Sequence, residues 1–371
     1  MALSTPPVLV VEDDSFLRVI QIVLDPAAPD DLVSAFDHFC AHDLDFAGWC
    51  HRMRFVARGL HPAEVRLVRD QDELLAKARG AQAFVVDALA VGPREIAAAG
   101  KNLKLVQRYG TLTRHIEGAA CSAAGIQIKT LRRRANIAVA EQALMLMLAL
   151  ARQLNQNANL ISVEQLQSAG YRPTRYNRAR TPNGNWARIS GLKTLNGRQL
   201  GIIGLGEIGR ELALRAAALG MRMVYHQRHR MTPAEERHYQ ASYLSLQELL
   251  ETSDCVSLHL PSAPETRGII GRGQFAMIKP GALLVNVSQP SLVNRAALFD
   301  ALQSGSVGGF AMDGFYEEPA NPGEPLLDFP NVIITPHLAG SPRFNSLDDI
   351  EEIITNLARQ APFLDIDASR S

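Results

Sequence analysis

The clearest chemical signal in the sequence is a glycine-rich turn at residues 204–209 (GLGEIG), which lies between an apolar run and a helix-forming run. In dinucleotide sites the first glycine permits a tight turn, the second lets backbone N–H groups approach a pyrophosphate, and the third allows close helix packing. Here the apolar run at 199–203 precedes the motif and good helix formers follow it. The residues predicted to bind a dinucleotide are Gly204, Gly206, Glu207, Ile208 and Gly209.

The end of the next predicted strand bears on the choice of cofactor. Sites for NAD usually carry Asp or Glu about 20 residues after the first glycine, where the carboxylate accepts hydrogen bonds from the adenosine ribose. The corresponding position, 23 residues after Gly204, holds Gln227, which is followed by Arg228. A neutral amide beside a guanidinium could hold a 2′-phosphate, although a solvated basic turn is an alternative interpretation. The sequence therefore favours NADP over NAD.

Short apolar runs alternate with helix-forming segments along almost the whole chain, and this alternation indicates parallel strands joined by helical crossovers. The chain has 371 residues, and a single core stops growing near roughly 250–300 residues, so two domains are expected. The fold class is therefore predicted to be α/β, with doubly wound parallel sheets. The predicted strands are 8–11, 84–89, 103–110, 199–206, 221–226, 255–260, 282–288 and 331–337.

Composition excludes several classes of protein. Hydrophobic residues make up 47% of the chain, and its 38 basic side chains balance 38 acidic ones, which argues against general disorder. The longest apolar run, 143–151, is far shorter than the ~20 residues that cross a bilayer, and the first residues do not resemble a signal peptide. The basic segment 101–180 contains no nucleic-acid motif and favours small anions. We therefore expect no membrane and no nucleic-acid partner, and a small anionic or carbonyl compound as substrate.

The cysteines suggest the compartment. The four of them show neither a CxxC pair nor the spacing of a metal site. Isolated thiols of this kind suit a reducing compartment, so we expect a cytoplasmic protein with buried cysteines and no metal site.

Two segments predict a partner subunit. Residues 136–157 contain no Pro or Gly and predict one long helix that is apolar around nearly its whole circumference. Residues 168–197 are rich in Pro, Gly, Asn and Arg and predict a long exposed arm, which is uncommon inside compact domains. A helix that must be covered on most sides, together with such an arm, predicts a homodimer.

The order of motifs resembles that of the D-isomer-specific 2-hydroxyacid dehydrogenases. The resemblance extends over about residues 80–360, and several independent motifs occur in the family's order. The first 80 residues match poorly. The matching segments are 136–152 (NIAVAEQALMLMLALAR), 200–221 (LGIIGLGEIGRELALRAAALGM), 259–271 (HLPSAPETRGIIG), 277–288 (MIKPGALLVNVS), 308–319 (GGFAMDGFYEEP) and 325–340 (PLLDFPNVIITPHLAG).

The resemblance implies two Rossmann-like domains. A flavodoxin-like substrate domain would comprise 1–134 plus 338–371, and a dinucleotide-binding domain, 135–337, would be inserted into it. The site would lie between the two domains. The implied chemistry is hydride transfer between a nicotinamide and C2 of a 2-oxo or 2-hydroxy acid.

The resemblance also implies catalytic residues. The family's acid/base histidine corresponds to His337 in TPHLAG, and its glutamate corresponds to Glu318, which would orient the imidazole. The family's substrate-binding arginine is replaced: its Asn-x-Ser/Ala-Arg-Gly motif reads NVSQP at 286–290, with Gln289 at the arginine position. Glutamine can donate to a carbonyl oxygen but offers no charge and no guanidinium fork. Gln289 therefore predicts an altered substrate choice.

Two loops are expected to bind the anionic group of the substrate. The turn formed by Gly110, Thr111 and Leu112 matches the family's turn whose backbone N–H groups contact the carboxylate. The basic run of Arg132, Arg133 and Arg134 precedes the long helix near the implied hinge, where three solvated arginines are an equally good interpretation. Further cofactor contacts implied by position are Leu260, Pro261, Thr266, Val287, Ser288 and Asp313.

Three functions remain open at this point. The leading hypothesis is an NAD(P)-dependent oxidoreductase that acts on a 2-oxo or 2-hydroxy acid or a related carbonyl. The second is a dinucleotide-sensing binding protein on the same fold that has lost turnover, which Gln289 favours and the retention of His337 and Glu318 disfavours. The third is a redox enzyme whose substrate lacks a carboxylate next to its carbonyl.

Overall fold

The computed structural model describes residues 6–42, 44–182 and 184–360. The chain divides into two compact units: the first comprises the chain up to Asn136 and again from Gly340, and the second is Ile137–Ala339. Both crossings between the units lie two residues later than the boundaries implied by the resemblance. Each unit has its own parallel sheet and its own apolar core.

The sheet of the first unit has the strand order β2-β1-β3-β4-β5 in the described residues, with every pairing parallel. This order is the flavodoxin-like arrangement. Alternate residues of the strand Val8–Glu12 face opposite sides of the sheet, since Leu9 lies in one apolar cluster and Val10 in another. Because helices cover both faces of this sheet, side chains on both sides of a strand are buried, and its sequence is a nearly continuous apolar run. The strands are β1 (Val8–Glu12), β2 (Glu64–Val68), β3 (Ala83–Val86), β4 (Leu105–Arg108) and β5 (Gln127–Lys129).

The sheet of the second unit has the order β12-β11-β10-β9-β6-β7-β8 in the described residues, again with parallel pairings. The winding direction reverses between β6 and β9. In open parallel sheets, ligands bind at the carboxyl ends of the strands at this switch point. The strands are β6 (Gln199–Ile203), β7 (Arg222–His226), β8 (Ala241–Tyr243), β9 (Cys255–Leu258), β10 (Ala282–Asn286), β11 (Val307–Asp313) and β12 (Val332–Thr335).

Helices connect the strands on both faces of each sheet, and the two sheets confirm the predicted α/β class with doubly wound topology. The α-helices of the described residues are α1 (Arg18–Leu24), α2 (Asp30–Cys40), α3 (Phe46–Val56), α4 (Gln71–Lys77), α5 (Pro93–Ala99), α6 (Gly118–Ala123), α7 (Arg134–Ala151), α8 (Leu154–Asn157), α9 (Val163–Ser168), α10 (Glu207–Ala218), α11 (Pro233–Tyr239), α12 (Leu246–Thr252), α13 (Arg272–Met277), α14 (Arg295–Gln303) and α15 (Phe344–Gln360). Short 3-10 helices occur at Pro290–Leu292 and Pro325–Asp328.

The single helix predicted over 136–157 is divided in the structure. Helix α7 ends at Ala151, whose carbonyl accepts a hydrogen bond from the Lys193 backbone N–H (2.8 Å). Gln153 then has a left-handed φ of +51° and separates α7 from α8. The prediction of one continuous helix was therefore wrong beyond Ala151, because a residue in this conformation cannot continue the helical hydrogen-bond ladder.

The faces of α7 differ in burial. Leu146 and Leu150 pack in the core of the second unit, whereas Met145 and Leu148 are 43% and 38% exposed. Within the single chain, α7 is therefore buried on some faces and exposed on others, and its coverage by a partner subunit stays a prediction. Among the described residues, α7 is the one helix long and apolar enough to span a membrane, and half of it is buried inside the protein.

Candidate functional site

The glycine-rich turn joins the carboxyl end of β6 to the first turn of α10. Gly204 has φ +93°, and a Cβ atom there would lie 2.4 Å from the backbone oxygen of His259, so only glycine fits. A Cβ atom on Gly209 would lie 2.4 Å from the Gly204 backbone oxygen, whereas Gly206 faces open space. The turn presents bare backbone at a helix N-terminus, the arrangement that suits a pyrophosphate. The first turn of that helix contains Glu207 and Ile208.

Gln227, predicted to contact the adenosine ribose, follows β7 and is bonded to the glycine-rich turn. Its Oε1 accepts a hydrogen bond from the Leu205 backbone N–H (3.1 Å), and its Nε2 donates to the His229 backbone oxygen (2.7 Å). Gln227 thus shapes the turn, a role the sequence did not predict. Arg228 is exposed, and among the described residues no hydrogen bond or ion pair engages it.

The loop after β9 carries three further residues that were expected to contact the cofactor. The Leu260 side chain packs over the glycine-rich turn, 2.8 Å from where a Cβ atom on Gly204 would stand. Thr266 Oγ1 donates to the Pro261 backbone oxygen (2.7 Å) and accepts from the Ala263 backbone N–H (2.9 Å). The Thr266 hydroxyl therefore fixes the shape of this loop.

The loop after β10 is built on a buried asparagine. Asn286 Nδ2 donates to the Gln289 backbone oxygen (2.8 Å), and Asn286 Oδ1 accepts from the Ser288 backbone N–H (3.1 Å). The Ser288 hydroxyl donates to the Leu258 backbone oxygen (2.9 Å), and Val287 is buried. These bonds hold the backbone that presents Gln289.

His337 and Glu318 are hydrogen-bonded to each other in the second unit. His337 Nδ1 lies 2.9 Å from Glu318 Oε2, and Glu318 Oε1 accepts from the Phe315 backbone N–H (3.0 Å). The hydrogen bond from His337 holds the pKa of the Glu318 carboxyl below its ordinary value, so this group is ionised. An ionised acceptor selects the tautomer with hydrogen on Nδ1 and leaves Nε2 for proton exchange. The imidazole is 69% exposed and accessible to a ligand.

Gly314 permits this pairing and was not identified from the sequence. It has φ +84°, and a Cβ atom at this position would lie 3.1 Å from Glu318 Oε1 and 3.6 Å from His337 Nδ1. Its backbone N–H donates to the Thr335 backbone oxygen (2.9 Å). The available signal was a glycine inside the matched segment 308–319, three residues before the acidic pair Glu317 and Glu318.

Asp313, which the resemblance implies as a cofactor contact, makes several hydrogen bonds within the protein. Its buried carboxylate accepts hydrogen bonds from Thr335 Oγ1 (2.5 Å) and from the backbone N–H groups of Leu338 (2.8 Å) and Ala339 (2.6 Å). These bonds stabilise the turn at His337, whose left-handed φ of +58° is uncommon for a residue other than glycine. We therefore interpret Asp313 as a residue that positions the imidazole.

A cleft of about 530 Å³ in the second unit is shared by the His337–Glu318 pair and the loop after β10. Gln289 is exposed in this cleft, and its side-chain amide makes no hydrogen bond within the described residues. Arg267, from the loop after β9, also lines the cleft and was not predicted from the sequence. The cleft therefore combines an acid/base pair with a neutral amide and a guanidinium.

The predicted substrate turn lies in the first unit, after β4. Gly110 accepts a hydrogen bond from the Leu131 backbone N–H (2.9 Å), and Leu112 accepts from Arg108 Nε (3.0 Å). Thr111 is exposed between these two anchored residues. The turn is thus held at both ends by its own unit.

The three consecutive arginines have partners within the first unit. Arg134 Nη1 donates to the fully buried Asp349 (3.0 Å), and the Arg133 guanidinium lies 3.8 Å from the centre of the Tyr109 ring. Arg132 is exposed but also engaged. The guanidinium groups of Arg133 and Arg134 therefore contact residues of their own unit, and substrate binding by the three arginines stays a prediction.

A family model described as "D-isomer specific 2-hydroxyacid dehydrogenase, NAD binding domain" matches residues 144–339. The matched segment contains the glycine-rich turn, the Gln289 loop and the His337–Glu318 pair. It coincides with most of the second unit.

Individual proteins are also similar. The chain is 32% identical over 306 residues to a D-3-phosphoglycerate dehydrogenase of Archaeoglobus fulgidus, covering 81% of this chain and 54% of the relative. It is 43% identical over 149 residues to a glyoxylate reductase of Aeropyrum pernix, covering 40% of this chain and 44% of the relative. The chain therefore spans about half the length of these curated relatives. A solved glyoxylate reductase from Paecilomyes thermophila matches with a TM-score of 0.53 and 25% identity, over 98% of this chain and 96% of that one.

Proposed function

The chain belongs to the D-isomer-specific 2-hydroxyacid dehydrogenase family, which confirms the resemblance of its motifs, and on this premise we propose that it is an NAD(P)-dependent oxidoreductase of 2-oxo and 2-hydroxy acids. The observation that carries the proposal is the 2.9 Å hydrogen bond between His337 and Glu318 at a cleft in the dinucleotide-binding unit. A protein that only bound a dinucleotide would have no need of such an acid/base pair.

The residues of the glycine-rich turn fit a dinucleotide. A side chain at Gly204 would collide with backbone, and the open space at Gly206 leaves the N-terminus of α10 accessible to a pyrophosphate. When bound, a reduced nicotinamide supplies the hydride that reduces the carbonyl carbon of the substrate. The part of this chain is to hold the cofactor by its backbone and to keep side chains out of its way.

His337 is the proposed proton donor during reduction. Its Nε2 would give a proton to the carbonyl oxygen of the substrate as negative charge develops there, and would take a proton back in the reverse direction. Glu318 bonds Nδ1, which fixes the ring orientation and places a negative charge beside the imidazole. Asp313 supports the same ring through the backbone turn.

We propose NADP as the preferred cofactor. Arg228 follows Gln227 at the end of β7 and is exposed, with no partner among the described residues. Arg230, two residues later, is instead bonded twice to Glu236 (2.8 and 3.0 Å). Arg228 is therefore the guanidinium in this turn that is available to a 2′-phosphate.

A cytoplasmic homodimer completes the proposal. Four large apolar side chains are exposed within a short stretch of the second unit, and exposed apolar groups of this size favour association. They are Met145 (43% exposed), Leu148 (38%), Leu154 (51%) and Ile161 (81%). The four cysteines are buried and form no disulfide within the described residues, as expected in a reducing compartment.

A panel assay tests the proposed activity. Oxidation of NADPH and NADH is followed with glyoxylate, pyruvate and hydroxypyruvate, and with aldehydes and ketones that lack a carboxylate. The proposal expects reduction of at least one 2-oxo acid and loss of that activity in His337→Ala. Turnover confined to compounds without a carboxylate would contradict it and favour the third hypothesis of the sequence analysis.

A second candidate function is a dinucleotide-binding protein without turnover. The observation that favours it is Gln289, which places a neutral amide where the family has its substrate-binding arginine. This candidate predicts NADPH binding without oxidation of the cofactor by any compound of the panel.

A further inference from the structure

Arg267 lies on the wall of the same cleft as Gln289, although the two residues belong to different loops. The two loops are fastened together. The Gly268 backbone N–H donates to the Ser291 backbone oxygen (2.8 Å), and the Ser262 hydroxyl lies 3.1 Å from the Ser291 hydroxyl. Arg267 is therefore held beside the loop that presents Gln289.

The backbone at Arg267 is fixed on its other side as well. The Arg267 backbone N–H donates to the Ala263 backbone oxygen (3.1 Å), within the turn that Thr266 closes through its bond to Pro261. The side chain itself is exposed. The backbone of Arg267 is therefore held in place, while its guanidinium is accessible to a ligand.

The Arg267 guanidinium forms no ion pair with the described carboxylates that line the cleft. Arg267 is the one Lys or Arg among the described residues that line the cleft, and no ion pair of the described residues includes it. Of these carboxylates, Asp313 accepts a hydrogen bond from the turn at His337, and Glu318 is hydrogen-bonded to the imidazole. The neighbouring Arg295 is already paired with Glu324 (2.5 Å).

We propose that Arg267 binds the carboxylate of the substrate and replaces the arginine that is absent at position 289. A guanidinium without a protein partner matches a carboxylate in charge and in fork geometry. The Gln289 amide then donates a neutral hydrogen bond to the same substrate. This inference rests on the proposed function and narrows it to substrates with a carboxylate next to the carbonyl, and disfavours the hypothesis of a substrate without one.

The test compares the wild-type protein with Arg267→Met, which keeps the apolar stem but removes the charge. The KM for the best 2-oxo acid of the panel should rise by on the order of 10- to 100-fold, since a charge-assisted contact is lost. The kcat should fall less, because the carboxylate is bound before and during the reaction. Arg267→Lys should fall between the two, because lysine keeps the charge without the fork.

Two controls separate this role from others. Arg272→Met removes an exposed arginine that pairs with Asp300 outside the cleft and should leave KM unchanged. The affinity of Arg267→Met for NADPH, measured by fluorescence titration without substrate, should equal that of the wild type. A loss of NADPH affinity that matches the rise in KM would overturn the inference and assign Arg267 to the cofactor.

Charge relocation gives an independent readout. In the Arg267→Met/Gln289→Arg double variant, a guanidinium returns to the cleft from the neighbouring loop. The KM for the 2-oxo acid should fall back toward the wild-type value, and a merely structural effect of Arg267→Met would not be reversed in this way. A KM that is unaffected by Arg267→Met in an active enzyme refutes the inference while leaving the proposed function intact.

Oxamate, an unreactive carboxylate, tests the inference even without turnover. Calorimetric titration of oxamate into the protein saturated with NADPH should give an affinity on the order of 10- to 100-fold weaker in Arg267→Met. Failure of every 2-oxo acid to react would contradict the proposed function but would leave the role of Arg267 in binding a carboxylate standing. Equal oxamate affinity in the two proteins, or no binding to the wild type, would overturn the role of Arg267.

Discussion

His337 Nδ1 and Glu318 Oε2 lie 2.9 Å apart, and the same imidazole is also positioned from its backbone by Asp313. Glu318 acts on the ring directly, whereas Asp313 bonds the N–H groups of the two residues that follow His337. Both carboxylates come from the segment at the end of β11. Because one orients the ring and the other stabilises the turn, substitutions at the two sites should have separable effects.

His337→Ala should reduce kcat/KM for 2-oxo acids by about 10²–10⁴-fold, since the proton donor is lost. Glu318→Gln should give a smaller loss, because the amide can still accept a hydrogen bond from Nδ1 but no longer carries a negative charge beside the ring. NADPH affinity should stay near the wild-type value in both variants. Steady-state kinetics and fluorescence titration check this, and efficient reduction by His337→Ala would refute the proton-transfer role.

Asp313→Asn should lower kcat and leave NADPH affinity nearly unchanged. One carboxylate oxygen is replaced by an N–H donor that faces the donors of the turn, so at least one buried bond is lost and stability should fall by about 1–3 kcal/mol. Urea unfolding, kinetics and NADPH titration are measured on the same preparation. A fall in NADPH affinity with unchanged kcat would show that Asp313 contacts the cofactor and does not position the imidazole.

Aliphatic strands could be predicted from the sequence, and the four that were missed have physical explanations. Strand β2 carries charged Glu64 and Arg66 in its apolar run, and β5 and β8 have only three residues each. Strand β11 has glycines at its second and third positions, which weaken strand propensity. There a Cβ atom on Gly308 would lie 2.2 Å from the backbone oxygen of Gly281, so glycine permits a close approach of two backbones.

Some residues of the candidate site could also be predicted from the sequence, and others could not. Motif order suggested the glycine-rich turn, His337 and Glu318, because each has a local pattern. Arg267 lies inside the matched segment 259–271, but its position beside Gln289 depends on a hydrogen bond between Gly268 and Ser291 that joins two loops. The partners of Arg133 and Arg134 were equally hidden from the sequence, because a tyrosine before them and an aspartate near the end of the chain supply them.

The preference for NADP should reverse when the charge at the end of β7 is changed. Gln227→Glu keeps an acceptor for the Leu205 N–H and places a carboxylate near the ribose, and Arg228→Ala removes the free guanidinium. The double variant should shift the NADPH/NADH affinity ratio by about 10- to 100-fold toward NADH. Arg222→Ala, at the opposite end of β7, is the matched control. Equal or tighter NADH binding by the wild type would contradict the preference.

The dimer should depend on the exposed apolar residues of α7. Replacing Met145 and Leu148 by Glu puts two charges where apolar contact is expected, and should weaken association by at least ~100-fold. Light scattering coupled to size exclusion should give a dimer mass for the wild type and a monomer mass for the variant. Phe55→Glu, which changes a 71% exposed side chain in the first unit, should remain dimeric. A wild-type monomer at micromolar concentration would count decisively against the proposal.

Acid should destabilise the protein through His259. Its Nε2 lies 2.8 Å from the Ser257 hydroxyl, its Nδ1 is buried without a partner among the described residues, and burial lowers its pKa to about 3. Between about pH 6.5 and about pH 3 the unfolded chain binds a proton that the folded protein does not, so the free energy of unfolding falls as the pH falls. This contribution should be about 2 kcal/mol smaller at about pH 5 than at about pH 7. Urea unfolding of the wild type and of His259→Asn at both pH values isolates this contribution, because the variant lacks the titrating imidazole. An identical pH dependence in the two proteins would show that His259 is not the cause.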